Sequence, residues 1–281
     1  LRAGLNIYHY SEAPTAYPTV VSADDENGLP IPWGALSGLA GDPNDAAIAY
    51  TIADSFYGQS RIFTLDVSDH PATLIDAMPI LDSYGVFANL PVVALADPSV
   101  DDDDPSRVSV FDEADLAALI NADNTINVDP EGIAVASDGG FWIASEGSGT
   151  VGDEGRPINS LNFLIKTDAS GVIEQVITLP EAVNANQLRF GFEGVAEDMG
   201  RVYVAFQRVW DGDEAVRIGV YDIATSEWSF LYYELDAPES QNGGWVGLSD
   251  LTALGDGQIL VLERDNQRGP DAAIKHLYRI N

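Results

Sequence analysis

Acidic and amide side chains recur in this chain at places where a β-hairpin would bring them together. Glu131 precedes the apolar run Gly132–Ala136, and Glu146 follows the run Phe141–Ser145, with the turn-forming Ser137-Asp138-Gly139-Gly140 between them. In a two-stranded hairpin, the residue before the first strand and the residue after the second lie side by side, opposite the turn. The same pattern sets Glu193 beside Gln207, Asp250 beside Glu263 and Arg264, and Ser37 beside Asp54. A ring of carboxylates with amide and hydroxyl oxygens suits a hard cation, above all Ca²⁺, which takes about six to eight oxygen ligands. The candidate metal ligands are therefore Asp54, Glu131, Glu146, Glu193, Asp250 and Glu263, and the candidate catalytic carboxylates are Glu131, Glu193 and Glu146. Other chemistries are poorly served. The three histidines, His9, His70 and His276, are scattered without pairing, which argues against zinc or iron. There is no cysteine, so thiol catalysis, disulfides and Cys-ligated metals are excluded. No G-x-S-x-G nucleophile motif is present.

Each of these residues also has a structural reading. Polar residues at strand ends fix hydrogen bonds between neighbouring sheets, although a Glu-Gly pair at the rim of an apolar strand is costly if packing is all that is needed. Arg264 is either one half of an ion pair or an anion-binding group, and Arg189 carries the same ambiguity. Trp33 and Trp245 each precede a repeat start, where they either line the mouth and contact ligand or wedge sheets apart. The run Asp101–Asp104 reads as a solvated loop or a metal tract, and Asp211-Gly212-Asp213-Glu214 as a turn without EF-hand spacing.

The elements that must position these groups follow one repeated phrase: LSGLA…YTIADS from Leu36, PEGIA…FWIASEG from Pro130, FEGVA…VYVAFQR from Phe192 and LSDLT…ILVLERD from Leu248. Third-strand runs follow at Arg61, Asn162, Arg217 and Lys275, and fourth-strand runs at Val172 and Trp228. A meander of four short antiparallel strands, repeated, is a β-propeller. The repeat starts, at 37, 131, 193 and 249, lie 94, 62 and 56 residues apart. The longest interval holds either two blades or one blade with an insertion, which contains a short helix presenting Leu116, Leu119 and Ile120 on one face. The expected fold is all-β: a propeller of four-stranded antiparallel blades, five or six in number with six preferred. Residues 1–32 would supply a missing strand, closing the ring by pairing N- and C-terminal strands. Residues 1–281 are expected to form one domain, monomeric and part of a longer secreted precursor.

Composition bounds the partners. The chain has 281 residues, 13 basic against 45 acidic, for a net charge of −32. Binding to a phosphate backbone needs clustered Lys and Arg, so no nucleic-acid partner is expected. The acidic surplus suits a solvated surface, divalent cations or a salty medium. The longest apolar run, around Val86 to Ala96, carries Asn89 and Pro91 and is too short to span a bilayer.

The phrases WGALSGLAGD, VDPEGIAVASDGGFWIASEGS, NQLRFGFEGVAEDMGRVYVAFQR and GLSDLTALGDGQILVLERD resemble the family called the esterase-like activity of phytase domain. The resemblance runs from Trp33 to Asp265. It implies a β-propeller whose acidic residues hydrolyse phosphoesters, with Glu131, Glu146, Glu193, Asp250, Glu263 and Arg264 matching the acidic pattern. Gln207 departs from it, standing where the other copies have an acid. The resemblance and the acidity together imply an extracellular or periplasmic protein: a calcium-dependent phosphoric ester hydrolase acting on a small-molecule ester or phosphoester. Two alternatives stay open: a calcium-dependent lactonase or esterase taking a neutral substrate, and a non-catalytic calcium-stabilised binding or scaffold module.

Overall fold

The computed structural model describes residues 20–55, 57–92 and 111–281. Four hairpins form where the repeated phrase places them. They are β2 (Leu36–Gly41) with β3 (Ile48–Ala53), β6 (Asp129–Val135) with β7 (Phe141–Glu146), β10 (Phe192–Asp198) with β11 (Arg201–Phe206), and β14 (Val246–Gly255) with β15 (Gln258–Asp265). Two of the turns show why their residues were chosen. Met199-Gly200 and Asp256-Gly257 each put two consecutive residues at positive φ, which is what a two-residue hairpin loop needs to match the twist of its strands.

Outer strands complete the sheets: β4 (Arg61–Asp66) and β5 (Ala72–Pro79), β8 (Phe163–Thr167) and β9 (Ile173–Thr178), β12 (Val216–Asp222) and β13 (Glu227–Tyr233), and β16 (Lys275–Ile280). The four sheets stand in a propeller arrangement, with inner strands packed β2 on β6, β6 on β10 and β10 on β14.

The expected five or six blades are not found. Among the described residues there are four blades, because the long interval between the first two repeats holds an insertion and not a further sheet. That insertion carries helix α1 (Glu113–Ala118), capped by Asp112 and Asp115, and buries Phe87, Phe111 and Leu116 against Ile143 and Phe163 of the second blade. Asp101–Asp104 lies outside the described residues. The expected ring closure also differs. Strand β1 (Val20–Ser22) runs parallel to β5 and extends the first blade to five strands, while the last blade has three.

Every inner hairpin is irregular at the same place. The register shifts between Ser37 and Leu39, Pro130 and Gly132, Phe192 and Val195, and Leu248 and Asp250. A bulge takes a residue out of the ladder and re-aims its side chain. The residues so displaced are Gly38, Glu131, Glu193 with Gly194, and Ser249, so the bulges re-aim Glu131, Glu193 and Ser249 around one axis. The glycine in or next to each of the first three bulges has a separate reason. A Cβ on Gly132 would overlap the Glu193 carbonyl oxygen, one on Gly194 the backbone of Asp250 and Leu251, and one on Gly38 the Glu131 carbonyl. Glycine thus lets each inner strand press against the backbone of the next. In the last repeat in chain order the position is Asp250.

Candidate functional site

The mouth is assembled from the bulges and from the residue that follows each second strand. Bulging moves Glu131 out of the ladder, so the residue directly opposite Glu146 is Asp129. Asp129 is joined from the first blade by Asp54, whose side chain hydrogen-bonds to it, and by the Ser55 N–H at 3.3 Å. One carboxylate oxygen each from Asp54, Asp129 and Glu131 lie within 4.8 Å of one another. The Ser37 hydroxyl donates to Glu131 at 2.5 Å, tying the first bulge to the second. Glu146 accepts the Gly191 N–H at 3.0 Å, and Glu193, buried, is held by the Gln207 amide. Asp250 accepts the Leu251 N–H at 2.8 Å. Arg264 completes the ring, its Nε donating to Ser249 at 2.8 Å.

Burial beside like charges shapes the titration of this group. Asp129 is pushed up to about 8, first by burial and then by Asp54 and Glu131. Glu131 rises to about 7 through burial and Asp54, moderated by the Ser37 hydroxyl and Arg264. Burial and the neighbouring Glu131 bring Glu146 to about 9. Glu193 is raised well above the usual range by burial, Glu131 and Glu146, and burial lifts Asp250 to about 7. So many buried carboxylates around a single guanidinium are either protonated or neutralised by a bound cation.

The structure brings together Asp54, Glu131, Glu146, Glu193, Asp250 and Arg264. It does not bring Glu263. Leu248 pairs with Glu263, as Pro130 does with Ser145 and Phe192 with Phe206, so the positional equivalent of Glu146 and Gln207 is Arg264. A one-residue slip along a strand changes the face a side chain occupies. Glu263 is accordingly turned away and fully buried, and it accepts the Tyr233 hydroxyl at 2.9 Å and the Asp236 N–H at 2.6 Å. Asp129 was missed because its role depends on the bulge, although it stands two residues before Glu131 in a phrase rich in site residues. Arg189 stacks on Phe190, and Trp245 meets both Phe190 and Arg208. Trp33 packs half-buried against the first blade's core, and its carbonyl accepts the Tyr57 hydroxyl at 3.3 Å. The opposite end of the axis is mainly apolar among the described residues, with Asp42, His70 and Glu197 also in its lining. There a cavity of about 520 Å³ is lined by all four inner strands with Leu39, Ile133, Val195 and Leu251.

An all-β propeller with an acidic axial mouth defines the class, and the family follows from sequence. Residues 31–281 match the family described as esterase-like activity of phytase (phytase-like), and the chain belongs to it. The family suggests an ester hydrolase. No curated protein sequence matches the chain. Among solved structures it is similar to a protein from Lactobacillus plantarum, at 12% identity and TM-score 0.38, covering 91% of this chain and 72% of that one. A puromycin-hydrolysing peptidase from Mycobacterium tuberculosis gives 12% and 0.35, covering 90% of this chain and 28% of that one. A GH74 xyloglucanase from Xanthomonas campestris gives 14% and 0.36, covering 88% and 37%. Likeness at this level carries no argument about function. Among the described residues no helix is long and apolar enough to cross a membrane.

Proposed function

We propose that the mouth is the active site of a calcium-dependent phosphoric ester hydrolase. The observation that carries this reading is the meeting of Asp54, Asp129 and Glu131 within 4.8 Å, next to two further buried carboxylates. The donors fit the ion: all are oxygens, with the Ser37 hydroxyl alongside, as a hard dication requires. Asp54, Asp129 and Glu131 would hold Ca²⁺, with Glu193 and Asp250 adding charge from the third and fourth blades. A bound Ca²⁺ supplies charge neutralisation on the phosphoryl oxygens.

The chain's own groups divide the proton work. Glu146 keeps its proton at neutral pH and is suited to deliver it to the departing alkoxide oxygen. Glu131, held nearest to neutrality of the three, is the candidate to take a proton from the attacking water, which balances the hydrolysis of one P–O bond. Arg264, facing Glu131 and Glu193, steadies the anion. The substrate would be a small-molecule phosphoester met outside the cell or in the periplasm.

A second reading, hydrolysis of a neutral ester or lactone at the same mouth, is favoured by the net charge of −32, which repels a polyanion. Turnover of a phosphomonoester, a phosphodiester and a lactone panel, with calcium and with chelator, separates the two. Phosphoester cleavage that needs calcium and falls about 10²- to 10⁴-fold in Glu131→Gln is the expected result. Cleavage indifferent to chelator sinks the calcium mechanism. Calcium stabilisation without any turnover would make the protein a binding module.

A further inference from the structure

Beside the carboxylate ring, on the third and fourth blades, two arginines are gathered on aromatic rings. Arg189 and Arg208 lie 4.5 Å and 4.8 Å from the Phe190 ring centroid, and Arg208 also lies 4.7 Å from that of Trp245. Phe190 and Trp245 meet edge to face at 5.5 Å. The platform is anchored from below, because the Trp210 indole donates to the Phe190 carbonyl at 3.0 Å and the next residue, Gly191, donates to Glu146.

Three observations point to an anion at this cluster. Acidic residues outnumber basic ones 45 to 13, yet neither guanidinium is ion-paired among the described residues. Arg61, Arg156, Arg264, Arg268, Lys275 and Arg279 have no ion pair there either, and what is particular to this cluster is that two such guanidiniums share one ring. Two like charges brought to one ring repel each other, and an anion at that spot relieves the repulsion. The Trp245 indole N–H is also unused: Trp142, Trp210 and Trp228 donate to Glu197, Phe190 and Thr178, while Trp245, like Trp33 on the first blade, has no acceptor among the described residues. A stacked guanidinium keeps its N–H edge free, and that edge matches the oxygens of a phosphoryl or carboxylate group.

We propose that Arg189, Arg208 and Trp245, seated on Phe190, form an oxyanion-binding subsite at the third- and fourth-blade side of the mouth, which holds a phosphoryl or carboxylate group of the ligand. The subsite stands without turnover or calcium at the carboxylate ring, so it can fail or hold independently of the hydrolase reading.

The test is a titration of the intact, chelator-treated chain with inorganic phosphate and, separately, acetate, followed by calorimetry and tryptophan fluorescence. Expected is saturable binding of at least one anion, weakened at least about tenfold by Arg208→Gln and by Arg189→Gln. Arg201→Gln, at the far end of β11 and paired with Asp222, should leave it unchanged, and Glu131→Gln should not abolish it. Tighter binding of phosphate assigns a phosphoryl ligand, and tighter binding of acetate a carboxylate; either supports the subsite. Arginines that merely wedge two blades would lower the melting temperature when replaced and leave anion affinity alone. If the arginine variants do not fold, Trp245→Phe decides, since it keeps the ring and removes the N–H; it should weaken binding about threefold. Absence of binding in the unaltered chain, equal affinity in these variants, or loss confined to Arg264→Gln would each overturn the assignment.

Discussion

Burial and three carboxylate neighbours, Glu131, Asp129 and Asp54, hold Glu146 up to about 9, while the Gly191 N–H pulls the other way. Its folded-state value lies above its unfolded one, so the stability it contributes is fully present below about 4.5 and is lost as pH rises through about 9. Glu146→Gln keeps an oxygen for Gly191 and cannot ionise. In chelator, its melting temperature should therefore gain on that of the unaltered chain steadily between pH 5 and pH 9, values chosen to bracket that window; parallel curves across that range would refute the assignment. On the proposed reading the same variant loses about 10²- to 10⁴-fold in kcat with calcium present. How legible such residues were depends on their dependence on neighbours. Glu131 and Glu193 announce themselves as Glu-Gly at a strand start. Asp129 does not, because only the bulge at Glu131 brings it opposite Glu146.

At the scale of the element, hairpin periodicity was readable and register was not. All four hairpins and their turns follow from alternating apolar runs and Gly-rich punctuation. The four bulges do not, because an unpaired residue leaves the apolar pattern intact while changing what stands opposite what. Glu263 and Arg264 show the consequence. The phrase endings align Glu263 with Glu146, whereas the ladder puts Arg264 there. Glu263→Gln should cost about 2 kcal/mol by weakening charge-assisted bonds from Tyr233 and Asp236, and should leave calcium affinity unchanged. Arg264→Gln should do the reverse, tightening calcium by removing a competing cation. Equal effects of the two on calcium, measured by calorimetry, would refute the register argument. Gly132, next to the bulge at Glu131, gives a second test. Gly132→Ala places a methyl group in the Glu193 carbonyl and should cost about 3 kcal/mol in denaturant unfolding, while Gly41→Ala, with open space around it, should be nearly neutral. A tolerant Gly132 would mean the inner strands are not pressed together.

At the scale of the whole molecule, the propeller was legible from the repeated phrase, and the blade number was not, because sequence spacing cannot distinguish a blade from an insertion packed on one. Phe87, Phe111 and Leu116 are as apolar as blade residues, but they serve a loop and a helix that cover the second blade. The charge of −32 acts on this scale as well. Like charges spread over one fold repel, and salt screens them within a Debye length of about 10 Å at 0.1 M. Any salt should therefore raise the melting temperature of the calcium-free protein. Calcium bound at Asp54, Asp129 and Glu131 should add a separate increment at constant ionic strength. At about a hundred times its dissociation constant, that increment is about 2.7 kcal/mol, or about 5–10 °C for a chain of this size. Protons compete for the same raised carboxylates, so the increment should grow as pH climbs past about 7 and 8, the values of Glu131 and Asp129. Glu131→Gln separates the two contributions, because it should keep the response to sodium chloride and lose most of the response to calcium. A calcium increment that is pH-independent and survives in Glu131→Gln would place the ion on the acidic surface, and the mouth would then need another explanation for its buried carboxylates.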